Sequence, residues 1–410
     1  MSGLPGLAEA TWLVQPETQR VLTALTAAGF SARAVGGCVR NGLLGLPVTD
    51  IDIATTALPS ETQAVVQAAG MAAVPTGIEH GTITVIANHV PFEVTTLRKD
   101  VATDGRRAVV AFTKDWAEDA ARRDFTMNVL YCGAEGTVYD PLGFYGDVLA
   151  GKVRFIGDPQ VRIHEDYLRI LRFFRFHATF GAGALDAEGA LACVRARDGL
   201  RKLSAERVGG EMLKLLVAPR AVAGIEAMFD LGLLADVIGG VPCLARLARL
   251  AAIEQSLPFK PGAALRLAAL GVHTEEDAAR LGGRLRLSSE QQAVLNLAAS
   301  RDWRLSAVSS PQQARVTLYH LGHTAMRQRI LLDWAAAGDP PDNARWRRLW
   351  TLAAQYPVPR LPIAGRDLLA LGLAAGPKVG ELLRRLEKHW IESDFTADAE
   401  ALKAEALRHL

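Results

Sequence analysis

The sequence has few cysteines, almost no net charge and no long hydrophobic run. Its four cysteines, Cys38, Cys132, Cys193 and Cys243, stand too far apart for metal-knuckle spacing and are too few for a disulfide scaffold. Lys and Arg number 46 against 44 Asp and Glu, a formal net charge of +2. That balance excludes a strongly basic coat but leaves room for a local nucleic-acid site. No stretch of 18 or more apolar residues is present to span a bilayer. The first 29 residues carry Glu9, Glu17 and Arg20 and lack an apolar core with basic flanks, so they do not read as a secretory signal. A reducing, cytoplasmic setting is the expectation. Apolar residues, by contrast, are plentiful. At 50% of 410 residues they exclude disorder and low complexity. At roughly 150 residues per domain, the length suggests two to four domains.

The pattern changes near residue 160. Before it, Ser31–Val35, Ile51–Thr55, Thr82–Ala87, Phe92–Thr96 and Val109–Thr113 read as strands, rich in β-branched residues and divided by Gly, Asn or Asp. One helix opens at Gly36-Gly37. Another follows Ser60, where Ser60-x-x-Gln63 fits a capping box and Gly70 a stop. Beyond residue 160, Leu, Ala and Arg recur at helical spacing, with breaks expected at Gly181–Ala184, Pro219, Gly239-Gly240, Gly282-Gly283, Pro340-Pro341 and Gly376-Pro377. The fold class is therefore α+β: a small mixed α/β head followed by a long all-α region.

Chemistry concentrates in Val35-Gly-Gly-Cys-Val-Arg40 and, ten residues on, Asp50-Ile-Asp52-Ile. Glycines between a strand and a helix let backbone N–H groups approach an anion, and Arg40 adds a fork of donors. On a strand, residues i and i+2 share a face, so Asp50 and Asp52 converge while Ile51 and Ile53 face the core. Two carboxylates about 7 Å apart repel unless a cation joins them, and hard ions such as Mg²⁺ favour such oxygen donors.

Gly36-Gly37-x-x-Arg40 followed by Asp50-x-Asp52 resembles the signature of the polymerase-β nucleotidyltransferase superfamily. In detail it is similar to the bacterial and eukaryotic CCA-adding tRNA nucleotidyltransferases and the related bacterial poly(A) polymerases. The resemblance implies two Mg²⁺ ions held by Asp50 and Asp52 with the NTP triphosphate, for a two-metal in-line displacement. It makes Glu93, in Phe92-Glu-Val-Thr-Thr-Leu-Arg98, the candidate third catalytic acid; an ordinary strand glutamate is the alternative. It also covers Arg122-Arg-Asp-Phe-Thr-Met-Asn128, implying that Gly36, Gly37, Arg40, Arg123, Asp124 and Asn128 bind the nucleotide. Asp124 and Asn128, four apart, would share one face at a helix start.

Glu165-Asp166-Tyr-Leu-Arg169-Ile-Leu-Arg172-Phe-Phe-Arg175-Phe176 reads as one helix, with Asp166, Arg169, Arg172 and Arg175 stepping by three. Tyr, Leu, Ile and Phe fill the gaps. A helix this apolar is not fully solvated, so its arginines need partners in a partly buried cleft, and phosphate or base edges suit them. Intrahelical Asp–Arg pairing is the alternative. An acceptor-only carboxylate beside a donor-only guanidinium complements the pairing edges of cytosine and adenine, whereas guanine and uracil present the reverse order. Asp166 with Arg169 would then select CTP and ATP by about 10⁴-fold or more. The resemblance assigns the nucleobase to the same pair.

Thr76-Gly-Ile-Glu-His-Gly-Thr-Ile-Thr-Val85, and a polar loop between Asp100 and Trp116 containing Asp104-Gly-Arg106, resemble the CCA-adding branch. Poly(A) addition, CC-only or A-only addition, and a silent tRNA-binding scaffold remain open. Ser204-Ala-Glu-Arg-Val-Gly-Gly-Glu211 matches a further family motif, with Ser204 as a candidate N-cap and Arg207 as a brace. The resemblance implies a head over 1–155, a helical neck over 156–218, a body over 219–340 and a tail over 341–410, elongated and all-α beyond the head. It implies tRNA as partner, held at its 3′ end and elbow, with no membrane or protein partner. Arg280, Arg284, Arg286, Arg345, Arg347 and Arg348, with Trp346 and Trp350, are candidate RNA contacts. None of the nine histidines precedes an Asp, so no His-Asp phosphohydrolase is expected.

Overall fold

The computed structural model describes residues 6–104, 107–260 and 262–409. Gly105 and Arg106 of the polar loop lie outside the described residues. Among the described residues nine strands occur: β1 (Ala32–Val35), β2 (Asp52–Thr55), β3 (Ala72–Gly77), β4 (Thr82–Ala87), β5 (Val90–Thr96), β6 (Arg98–Asp104), β7 (Arg107–Phe112), β8 (Tyr131–Cys132) and β9 (Val138–Tyr139). Seven form one mixed sheet in the order β3-β4-β5-β2-β1-β8-β9, and β6 with β7 forms a separate ribbon. Only β2 and β5 run parallel. Alternation shapes the sheet: Ile83, Val85 and Ala87 of β4 are buried, as are Phe92 and Val94 of β5.

Strands β3, β6, β8 and β9 go beyond the sequence pattern. β3 carries Pro75 and lies on the sheet's edge, where a missing N–H does no harm. The β8 and β9 strands are two residues each, too short for a period to register. A helix at Pro16–Ala27 also covers the sheet, burying Val21, Leu22 and Leu25. The second head helix runs Pro59–Ala68, two residues earlier than the Ser60 box implies. Its cap is Glu61, which accepts from the Leu58 N–H at 2.7 Å.

After the bridge between Phe125 and Phe155, strands cease. Helices follow at Pro159–Glu165, Leu168–Phe180, Ala187–Arg195 and Ala205–Leu216. The chain divides into two compact units, 1–237 and 238–410. In the first, an aromatic cluster locks helix Leu168–Phe180 to the head: Phe155 and Phe173 stack at 5.4 Å, and Phe125 meets Phe155 and Phe176 at 5.0 Å each. Each buried Phe contributes about 1.5–3 kcal/mol relative to exposure, which anchors the polar face of that helix.

Among its described residues the second unit has helices joined by loops and no strand. Gly282-Gly283 is no break: both sit inside helix Glu275–Leu285. A Cβ on Gly282 would lie 1.6 Å from Gln292 Oε1, so a larger residue there would require the Gln292 side chain to move. Trp346 and Trp350 are buried as well. Trp346 stacks on Trp334 at 5.9 Å and donates to Asp339, so these rings are core rather than platforms for bases. Arg345 and Arg348 remain exposed on the same helix, Ala344–Gln355. Among the described residues no helix is long and apolar enough to cross a membrane.

Candidate active site

Sheet register assembles the centre of the site. Val35, the last residue of β1, faces Asp52 of β2, and Asp52 stands in parallel register with Glu93 of β5. The chain leaves β1 through Gly36, whose φ of 73° favours glycine, and enters the helix Gly37–Leu43. The Gly36 N–H donates to Leu130 O at 3.1 Å, pinning the turn to the strand's other neighbour. Ile51 and Ile53 are buried while Asp50 and Asp52 are exposed, the alternation that a period of two implies.

These carboxylates open on a cavity of about 690 Å³. Its wall brings together every nucleotide-binding and metal candidate named from the sequence, and adds Phe176 and Lys214. Glu93 is not in that wall. It acts on the site through charge: the Asp52 side chain keeps solvent access, yet its carboxyl is held above its ordinary range by partial desolvation from the surrounding cleft, then by Glu93 and Asp50, with Arg123 opposing. Among the described residues no three His, Cys, Asp or Glu side chains converge on one metal position. Asp50 and Asp52 present a pair of carboxylates to the cavity, the oxygen-donor chemistry that hard cations favour.

Opposite the acids lies a guanidinium cluster. Arg40 is buried, donates Nη1 to Asn128 Oδ1 at 2.6 Å, and stacks its guanidinium 3.8 Å over Phe180. Burial, then repulsion from Arg175, pulls its pKa down to about 10, with Asp124 acting the other way. Arg123 Nη2 donates to Asp119 Oδ2 at 3.1 Å, and the Tyr131 hydroxyl donates to the same oxygen at 2.8 Å. Burial would raise the Asp119 carboxyl, but Arg123 and Arg122 outweigh it and hold it low.

Asp124 and Asn128 are not at a helix start. Helix Trp116–Ala121 has ended, Asp124 lies in the following turn, and Asn128 closes a single 3₁₀ turn at Thr126–Asn128. They meet nonetheless, Asn128 Nδ2 donating to Asp124 Oδ1 at 2.9 Å. Asp124 Oδ2 accepts from Arg172 Nε at 2.8 Å.

Nor is the arginine segment one helix. Asp166 is extended, with φ −156° and ψ 105°, between helices Pro159–Glu165 and Leu168–Phe180. The break turns its carboxylate toward Arg207, which donates to Oδ2 at 2.7 Å, while Oδ1 accepts from the Leu168 N–H at 3.1 Å. Arg169 Nη1 donates to Arg162 O at 2.6 Å and to Glu165 Oε2. Arg175 Nε meets Glu211 Oε2 at 2.5 Å. The arginines therefore find carboxylate partners within the protein, where the sequence pattern pointed to phosphate or base edges, and still line the cavity. Ser204 makes no side-chain cap bond.

Sequence reasoning missed Asp119, Arg162, Glu165, Glu211 and Lys214 as parts of this site. Arg162, Glu165 and Arg169, at i, i+3 and i+7, carry a helical signal that a search for charged stripes would find. Glu211 lies 36 residues from Arg175, and no local pattern connects them.

The chain matches the family model of the poly A polymerase head domain over residues 32–154, and that of the probable RNA- and SrmB-binding site of polymerase A over 184–246. It is 34% identical over 384 residues to the mitochondrial CCA tRNA nucleotidyltransferase 1 of Mus musculus, covering 90% of this chain and 85% of that one. It is 31% identical over 396 residues to the CCA-adding enzyme of Limosilactobacillus fermentum, covering 93% and 94%. The Bacillus stearothermophilus CCA-adding enzyme, solved in complex with CTP, superposes with a TM-score of 0.75 at 27% identity over 96% of both chains. A Thermotoga maritima CCA-adding enzyme complexed with tRNA shares the fold, with a TM-score of 0.66 at 16% identity. With that identity spread over nine-tenths of its length, the chain belongs to the family of CCA-adding tRNA nucleotidyltransferases.

Proposed function

We infer that this chain adds C, C and A to tRNA 3′ ends from CTP and ATP, releasing pyrophosphate, with protein side chains in place of a nucleic-acid template. The observation that carries the reading is one cavity joining an Asp pair to Asp166 and Arg169, both braced and both with bonding capacity left. Arg169 uses only Nη1 in these bonds, leaving Nε and Nη2 as donors. Asp166 accepts two bonds of the roughly four a carboxylate can take. An acceptor and a donor side by side match the pairing edges of cytosine and adenine.

Asp50 and Asp52 would hold Mg²⁺, which when bound supplies positive charge for hydroxyl attack and pyrophosphate departure. Gly37, Arg40 and Arg123 grip the triphosphate, with Asn128 fixing the Arg40 fork. Asp124 and Glu211 hold Arg172 and Arg175 in place, so these cations face the nucleotide in fixed positions at no cost of reorganisation. Glu93 adds a second anion beside Asp52 and disfavours its ionised form, a repulsion that a cation would relieve. Arg345 and Arg348 meet tRNA phosphates. The functional division is a head over 1–155, a neck over 156–218, and a body and tail over 219–340 and 341–410 that hold the tRNA elbow. Four free cysteines support a reducing, cytoplasmic location, although the mouse relative is named mitochondrial.

Bacterial poly(A) polymerases share the head model, but the full-length similarity runs to CCA-adding enzymes. The test offers tRNAs ending before, within and just short of CCA with each NTP singly. Growth by C, C and A and then arrest supports the reading. An unlimited A tail from ATP, or failure to add A from ATP to the tRNA ending in CC, overturns it.

A further inference from the structure

One buried side chain outside the cavity wall bonds to residues that line it. Arg162, on helix Pro159–Glu165, is 7% exposed. Its Nη2 donates to the backbone carbonyls of Arg122 and Arg123, the latter at 2.7 Å. Its Nη1 donates to Glu165 Oε2, the oxygen that also accepts from Arg169 Nη1. The circuit closes through the backbone, because Arg169 Nη1 donates to Arg162 O at 2.6 Å. One residue thus touches the segment that carries Arg123 through its guanidinium, and Arg169 through both its carbonyl and its ion-pair partner.

We propose that Arg162 is a positioning residue that couples base reading to the triphosphate grip, by fixing Arg169 relative to Arg123. The inference rests on the assignment of Arg169 to the base and Arg123 to the phosphates. The chemistry of the guanidinium carries it. A planar fork reaches two carbonyls on one side and a carboxylate on the other, whereas an ammonium is a single point donor that cannot span both. Glu165 alone cannot fix Arg169, because its shared oxygen is itself aimed by Arg162. Asp166, next in sequence, leaves the helix immediately after Glu165, so the anchor that sets Arg169 also sets where the other base-reading side chain departs. Without the fork, Arg169 keeps a partner but loses its orientation relative to the phosphate end. A donor displaced by about 1 Å no longer rewards the correct base over the wrong one, and such displacements cost on the order of 10²-fold in rate.

The test uses the full-length chain, Arg162→Lys and Arg162→Met, and a tRNA lacking CCA. For each, kcat and KM are measured with CTP and with UTP, alongside thermal unfolding. The expected result for Arg162→Lys is a fall of about tenfold or more in the ratio of kcat/KM for CTP over UTP, carried mainly by kcat, with folding retained. Glu165→Gln provides a second route, since it weakens the shared ion pair and leaves the carbonyl bonds intact. It should relax the same ratio, and Arg162→Lys/Glu165→Gln should fall short of the sum of the two. An unchanged ratio in a folded Arg162→Lys, or in Glu165→Gln should the Arg162 variants not fold, overturns the proposal. A wild-type chain that incorporates no nucleotide overturns the functional reading instead.

Discussion

Arg172 donates Nε to Asp124 Oδ2 at 2.8 Å and so ties helix Leu168–Phe180 to the turn that follows Arg123. The residues are 48 apart in sequence, and both line the cavity. Burial disfavours both charges, yet each holds the other ionised: Asp124 is kept below its ordinary range chiefly by Arg172, and Arg172 above its own chiefly by Asp124. Truncating one partner strands the other. Arg172→Met should therefore cost about 1–3 kcal/mol of stability, read as a lower denaturant midpoint at unchanged m-value. Asp124→Asn should cost less, because its amide still accepts from the guanidinium. Equal losses would show that the charge alone, and not the hydrogen bond, holds the joint.

The Asp pair behaves in the opposite way. Asp52 is held above the ordinary carboxylate range by partial desolvation and by Glu93, so its charge is unfavourable to the fold and is kept for function. Asp52→Asn should raise the melting temperature measured without divalent ions. It should also lower nucleotide incorporation by about 10³-fold, the equivalent of several kcal/mol of lost cation stabilisation. Asp50→Ala should likewise abolish incorporation, while tRNA binding by gel shift survives both changes. Incorporation near the wild-type rate in either variant removes the metal assignment.

What the sequence disclosed about this centre followed from period. A strand repeats every two residues, so Ile51 and Ile53 inward placed Asp50 and Asp52 outward, and the glycine turn announced itself by composition. Helical character after residue 160 was legible for the same reason. What stayed hidden was non-local or irregular. Asp166 sits in a break that a step of three conceals, since an extended residue between two helices leaves the spacing of apolar residues intact. The bonds from Arg207 to Asp166 and from Arg175 to Glu211 join elements 41 and 36 residues apart. Arg345 to Trp350 was ambiguous because basic residues interleaved with Trp describe an RNA surface and an amphipathic core helix equally well. Burial of Trp346 and Trp350 decides for the core, and leaves Arg345 and Arg348 outside.

Exchanging Asp166 and Arg169 would seem the direct test of base reading, but Arg207 forbids a clean result. A guanidinium at 166 would face another at 2.7 Å, where a carboxylate now sits. Asp166→Asn is the better probe. Its amide oxygen keeps the Arg207 bond, and its NH₂ replaces the oxygen that accepts from the Leu168 N–H, a donor where the carboxylate offered only acceptors. Discrimination against UTP and GTP should fall by about 10–100-fold, because the carbonyl of uracil or guanine then finds a partner. Single-nucleotide incorporation with all four NTPs measures it. Selectivity equal to wild type would remove Asp166 from base recognition.

Acid should loosen the phosphate side of the site first through Asp119. This carboxylate is the common acceptor of Arg122, Arg123 and the Tyr131 hydroxyl, and also of the Arg98 backbone N–H. Its folded pKa lies below the ordinary 3.8 despite burial, because the two arginines outweigh desolvation. For a depressed carboxylate the linkage runs one way: the unfolded chain takes the proton first as pH falls. The contribution to stability is thus fully present above about pH 5, declines through the unfolded value, and is gone below the folded one. Asp119→Asn removes the titrating charge and keeps the shape. At pH 7 the variant should be less stable by about 1–3 kcal/mol, because two guanidiniums lose their counter-ion. Between pH 5 and pH 3 the gap to wild type should narrow steadily in urea unfolding. A gap that stays constant with pH would mean that hydrogen-bond geometry at Asp119, not its charge, holds Arg123.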